Sequence, residues 1–174
     1  MADLDSPEGI ERRHIHDTSA SPFRGLPIGL IGLGVLLGAS VLGLFGTEAR
    51  QTAASGGVEL EVHAPARIRN GEFFEMVVTV TADRPLEAAT LVVDADVWRD
   101  ITINTVIPAP SEETARDGSF AFEFGALDAG ERLTVKVDGQ VNPDHAPAAN
   151  EGVIGVADGD ETLASIEYRL EVLP

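Results

Sequence analysis

The run from Gly25 to Gly46, GLPIGLIGLGVLLGASVLGLFG, constrains this chain more than any other stretch. No charge falls between Arg24 and Glu48, and twelve of the 22 residues are Leu, Ile, Val or Phe. As a helix the run is about 33 Å long, close to the thickness of a bilayer's hydrocarbon core. Burying those side chains in lipid is favourable by roughly 4–7 kcal/mol before any cost for glycine and proline. The run therefore reads as a transmembrane helix over 25–46. A cleaved signal peptide is the alternative, because Thr47-Glu48-Ala49 offers small residues for a cut near Ala49. Against it, the apolar core of such peptides is only about 7–15 residues.

One face of this helix is made of small residues. Gly25, Gly29, Gly32, Leu36, Ala39, Gly43 and Gly46 follow one another at steps of three and four, so they share a face. Gly34 and Gly38 form a GxxxG on another face. Small residues let helix backbones approach closely in lipid, where packing drives association. Gly25, Gly29, Gly32, Ala39, Gly43 and Gly46 are thus the expected helix-packing residues, toward a second copy or another membrane protein. The opposing reading is that glycine is simply frequent in membrane helices.

The flanks set orientation. Residues 1–24 are polar, of mixed charge and without an apolar period, which reads as a disordered cytoplasmic tail. Arg12, Arg13 and Arg24 bias that side toward the cytoplasm. His14 and His16 in such a tail are not expected to hold a metal. Residues 47–57, TEARQTAASGG, are small, polar and glycine-ended, and read as a flexible tether.

From Val58 the hydrophobic period becomes two and stays two. Val58, Leu60 and Val62 alternate with Glu59, Glu61 and His63, and Phe74, Met76, Val78 and Val80 repeat the pattern. Ala89 to Val97, then Ile101, Ile103 and Thr105, then Phe120, Phe122 and Phe124 follow suit. Leu133 to Val137 and Ile166 to Val172 complete the set, with Asn70-Gly71, Asp117-Gly118 and Asp158-Gly159 as turns between runs. Seven to nine short alternating strands predict an all-β antiparallel sandwich over 58–174, each sheet with one wet face.

Two stretches resemble a known type. Ile68-Arg69-Asn70-Gly71-Glu72 leading into Val77-Val78-Thr79-Val80-Thr81 is similar to an early strand of bacterial Ig-like domains of the CARDB kind. So is Phe124-Gly125-Ala126-Leu127-Asp128-Ala129-Gly130-Glu131 running into Leu133-Thr134-Val135-Lys136-Val137. The resemblance covers about 70–140. It implies an Ig-like sandwich on a membrane-anchored envelope protein and carries no catalytic residues.

Charge and composition narrow the function. The chain carries a formal −17, and residues 51–174 hold 23 acidic against 8 basic residues, a net −15. Such a domain repels nucleic acid and anionic headgroups. There is no cysteine, so disulfides, thiol catalysis and thiolate metal sites are excluded. No G-x-S-x-G elbow and no glycine-rich phosphate loop occurs. No enzymatic activity, cofactor or metal is expected.

Three loops stand out, and one of them, Trp98-Arg99-Asp100, is a candidate partner contact. Trp98-Arg99-Asp100 sets the chain's one tryptophan on the outward parity, beside an arginine, and both types are enriched at binding hot spots. The bland reading has Trp98 capping the core where its strand bends. Pro108–Gly118 and Asn142–Gly152 read as long loops. Asp94 and Asp96 share Trp98's outward parity, and Asp158, Asp160 and Glu161 crowd a turn. Neither group has the full spacing of a calcium loop, and calcium at the second is left open.

The expectation is a single-pass protein of a bacterial cytoplasmic membrane, N-terminus inside, presenting an Ig-like interaction module outside. It would be a non-catalytic subunit or accessory of a membrane assembly. The alternatives are a surface protein that binds an external ligand or envelope polymer, and an anchored hydrolase.

Overall fold

The computed structural model describes residues 25–41, 48–143 and 148–173. The chain divides into two compact units between Phe45 and Gly46. The first contributes one described element, helix α1 (Gly25–Val41), of 17 residues. Its described side chains, Pro27–Gly38, are all exposed, with Ile28 and Val35 among the most open. Among the described residues no helix is long and apolar enough to cross a membrane. The expected helix ran to Gly46; its last five residues, with Gly43 and Gly46, lie outside the described residues, as does the tail 1–24.

The second unit is a two-sheet β-sandwich. One sheet runs β1 (Glu48–Ser55), β2 (Val58–Pro65), β4 (Phe73–Ala82), β9 (Arg132–Val141), β6 (Ile101–Ile107). The other runs β3 (Arg67–Arg69), β11 (Glu161–Leu173), β10 (Ala148–Asp158), β5 (Ala89–Asp94), β8 (Ser119–Glu123), β7 (Glu112–Arg116). Every pairing is antiparallel except β3 with β11.

Lettered in chain order, β2, β4, β9 and β6 stand as A, B, E and D of an immunoglobulin-type domain, and β11, β10 and β5 as G, F and C. Three additions surround that frame. β1 extends the first sheet beyond β2, β3 lies beside β11, and the hairpin β7–β8 is inserted between β6 and β9 and widens the second sheet past β5.

Alternation builds the core as expected. Leu60, Met76, Val78, Val135 and Val137 from one sheet meet Leu91, Val93, Ile154, Tyr168 and Leu170 from the other, all buried. At about 25 cal/mol per Å2 of apolar surface removed from water, such burial is the main favourable term.

Three readings of the sequence need correction. Residues 48–55, within the expected tether, form β1, paired along its whole length with β2. Gly56 and Gly57 both take positive φ, 61° and 77°, and close a two-residue hairpin whose twist suits the flanking strands. β1 was illegible because it is a small-residue edge strand with no apolar alternation. The expected loop 108–118 contains β7, exposed along its whole length and so without a hydrophobic period. The expected loop 142–152 likewise contains the start of β10, while 144–147 lie outside the described residues.

A close approach inside the first sheet gives a test. An added Cβ at Gly139 would stand 2.3 Å from Phe74 Cε1 and 3.2 Å from the Thr102 carbonyl oxygen. Gly139→Ala is expected to cost about 1–3 kcal/mol by overpacking a buried ring, read as a lower denaturant midpoint. A loss below about 0.5 kcal/mol, the scale of ordinary surface changes, would mean that Phe74 does not lie across this glycine.

Candidate functional site

Where β6 faces β7 and β8, the sandwich does not close. A cleft of about 630 Å3 lies there. Ile101, Ile103 and Val106 of β6 form one wall, and Phe120 and Phe122 of β8 the other, with Trp98 lining it as well. Ala109 and Pro110 belong to the loop that crosses between the sheets, and Asn104, Thr105, Glu113 and Thr114 make the polar part.

The wall of β6 depends on a bulge. Ile103 pairs with Gly139 and Thr105 with Asp138, so Asn104 is the extra residue. The extra residue resets the side-chain parity. Val106, opposite the buried Val137, then continues the inner face, while Thr105 is exposed. The sequence reading had put Thr105 inward, since strict alternation has no place for a bulge.

Of the two readings of Trp98, the structure takes the one in which the strand bends and the indole caps the core. It is buried, 6 % exposed, and not on the outward face. Strand β5 ends at Asp94, and a 3-10 turn over Ala95–Trp98 breaks the two-residue period, so both Val97 and Trp98 turn inward. The indole stacks on Phe120 at 5.8 Å between centroids and meets Phe122 at the same distance, tilted. Its Nε1–H is buried and has no acceptor among the described residues. An unmet buried donor costs on the order of 1–3 kcal/mol. Arg99 and Asp100 stay exposed: the Arg99 guanidinium donates to the Ala149 carbonyl at 3.1 Å, and Asp100 takes a positive φ of 57° where the chain turns into β6.

Two polar side chains hold this turn in place. Asn150 is fully buried, and its amide Nδ2 donates to the carbonyls of Arg99 (2.7 Å) and Val97 (3.4 Å), on either side of Trp98. Asp94 accepts from the Val153 backbone N–H at 2.8 Å and from the Ser119 hydroxyl at 3.0 Å, tying the end of β5 to β10 and β8. Asp94 is therefore a staple between strands, not a free outward acid beside Asp96. Sequence reasoning passed over Asn150 altogether; the one signal was a lone amide heading an apolar strand.

Of the residues lining the cleft, Glu113 alone is charged. What the arrangement can do chemically is desolvate an apolar group against aromatic rings, with hydrogen bonds at its polar side. Among the described residues no three His, Asp or Glu side chains gather to hold a metal. Asp158, weighed above for calcium, is already engaged. Its carboxylate accepts from the backbone N–H groups of Glu87 and Ala88, both at 2.9 Å, and faces Arg84 at 3.5 Å, while Asp160 and Glu161 point to solvent.

No family model matches the sequence, and no curated protein matches it. Solved structures do resemble the fold. The C-terminal domain of wzt is similar at 13% identity, over 74% of this chain and 80% of that one, with a TM-score of 0.43. CaCohA2 from Clostridium acetobutylicum is similar at 12% identity, over 68% and 92%, at 0.44. A non-cellulosomal cohesin from Archaeoglobus fulgidus is similar at 10%, over 64% and 88%, at 0.39. These sequences share too little with the chain to carry any residue's role across.

Two outcomes follow from the hydrogen bonds. Asn150→Ala leaves two carbonyls beside Trp98 unpaired and should cost about 1–3 kcal/mol. Trp98 emission should shift to longer wavelength as its turn loosens; unchanged emission would show that the turn holds without the amide. Asp158 has its carboxyl held below the usual range, first by the Ala88 N–H and then by the Glu87 N–H and the Arg84 charge, against the opposing effect of burial. A lowered folded value gives stability that is present above the unfolded pKa, about 3.9, and is lost as pH falls through the folded one. Acid unfolding of Asp158→Ala, followed by circular dichroism, should therefore depend less on pH below about 4 than that of the parent.

Proposed function

We propose that this chain is a single-pass membrane protein that presents an immunoglobulin-type sandwich as a non-catalytic binding module. The cleft between β6 and the β7–β8 hairpin is its contact site. The observation that carries the reading is the cleft itself: apolar walls left partly open to solvent, lined by Trp98, whose buried indole N–H has no acceptor among the described residues. A concave apolar site with a few polar groups is the ordinary form of a binding site.

The membrane reading rests on the apolar run 25–46 and on α1. Ile28, Leu30, Ile31 and Val35 are exposed around the helix, and a helix apolar on all sides needs lipid or other helices around it. Among the described residues nothing lies within 4 Å of where a Cβ would stand at Gly29, Gly32, Gly34 and Gly38, so none of those residues requires glycine there. Close approach by another transmembrane helix is the reason we assign. The domain would lie outside a bacterial cytoplasmic membrane, with the N-terminus inside and a partner that is protein and not nucleic acid.

Three measurements test this. The full chain should stay with the membrane pellet after an alkaline wash, and protease added outside should remove the domain and spare an N-terminal tag. A mature chain beginning near Arg50 would overturn the anchor. Gly32→Ile should weaken helix association by on the order of 1–2 kcal/mol, while Leu33→Ile should not; equal association would make the glycines lipid-facing filler. A photocrosslinker at Thr105, beside the cleft, should form an adduct in native membranes. The same probe at Thr79, on the outer face of the first sheet, should not. Equal labelling at both would remove the cleft from the function.

A further inference from the structure

Each sheet edge meets solvent differently. A free edge strand invites pairing with another chain, and proteins blunt such edges with charge, proline or cover. Edge strand β1 carries Arg50, β3 carries Arg67 and Arg69, and β7 carries Glu112, Glu113 and Arg116. Strand β6, ITINTVI, has neither a charge nor a proline, and six of its seven residues are β-branched. Its one irregularity is the bulge at Asn104, which serves to keep Val106 on the cleft wall.

The sheets also differ in width. The second has six strands and the first five. Among the described residues nothing covers β7 on either face, since all five of its residues are exposed. A sixth place in the first sheet, alongside β6 and across from β7, is therefore empty, and the cleft occupies it. A strand laid there would pair with the free edge of β6 and send every second side chain toward Phe120 and Phe122.

Building on the binding-module reading, we infer that the cleft is filled by strand addition. An extended segment of a partner protein pairs with β6, placing alternate apolar residues in the cleft and a basic residue beside Glu113. The basic residue follows from charge. Glu113 is the one charged lining residue, Glu112 adjoins it, and residues 51–174 carry a net −15. Two copies of this chain, each at −17, repel one another, which disfavours a second copy as the occupant.

Trp98 is the chain's only tryptophan and it lines the cleft, so its fluorescence reports occupancy. The probe is the peptide Val-Thr-Ile-Thr-Val-Thr-Lys, as long as β6 at 7 residues, whose Lys shares the face of its Val and Ile residues, titrated into the full-length chain in detergent. Saturable change in Trp98 emission is expected. Two further peptides carry N-methyl groups on one or the other alternating set of amides, which keeps the side chains and removes donors on a single edge. One set should lower affinity by about tenfold or more, roughly 1.4 kcal/mol, and the other should be tolerated.

Equal binding of both methylated forms would overturn strand pairing. Exchanging the terminal Lys for Glu should weaken binding several-fold at low salt, and the exposed variant Glu113→Lys should reverse that preference. Indifference to both exchanges would overturn the basic residue. A Thr105→Cys chain that oxidises mainly to its own dimer would make a second copy the occupant and end the proposal. If no peptide binds while the Thr105 photocrosslinker still labels a partner, strand addition fails and the module stands; if neither occurs, both fail.

Discussion

Met76, Val78 and Val80 on β4, with Val135 and Val137 on β9, can be dry only if the other sheet lies against them. That mutual burial is the constraint on which the rest depends. Each strand brings one apolar face, and a lone sheet would leave it in water. Because side chains alternate strictly, a slip of one residue would turn a whole face outward, so packing fixes register as well as contact. Local polar devices then act on a frame already set. Asp158 ties the loop at Glu87–Ala88 to the end of β10, and Tyr168 donates its hydroxyl to the Pro65 carbonyl from a buried position that raises its pKa.

The cleft is where that constraint lapses. The second sheet continues through β8 to β7 after the first has ended at β6. Phe120, Ile101, Ile103 and Val106 are consequently packed against the core yet only half-buried. Asn150 bears on the same region. A fully buried amide whose Oδ1 has no partner among the described residues is a costly choice in a strand of Val, Ile and Ala, and its return is a fixed turn on either side of Trp98. The carbonyls of Val97 and Arg99 leave the ladder at this turn and need donors, and Asn150 supplies them.

What the sequence made legible were the strands with one wet and one dry face. The inward residues read for β2, β4, β5 and β11 are buried. What stayed hidden had no such contrast. β1 is an edge strand of small residues, and β7 is wet on both faces, so neither carries a period of two. The cleft was hidden for a related reason: the bulge at Asn104 and the 3-10 turn at Ala95–Trp98 each shift parity by a residue, and alternation read straight through them mislaid Thr105 and Trp98. Gly56-Gly57 carried the signal for the first hairpin, but the polar run before it made the pair look like slack chain.

The inserted hairpin has a consequence for inheritance. β7 touches solvent on both faces and supplies nothing to the buried core. Changes in its five residues are therefore nearly silent for folding, while they redraw the charge and shape of one lip of the cleft. β8, next to it, carries Phe122 in the core and is bound by packing. Natural variation in this chain's relatives should thus fall unevenly across one turn, free at Glu112–Arg116 and restrained at Ser119–Glu123. A lineage can drift toward new partners along a single strand while the sandwich beneath it is inherited intact.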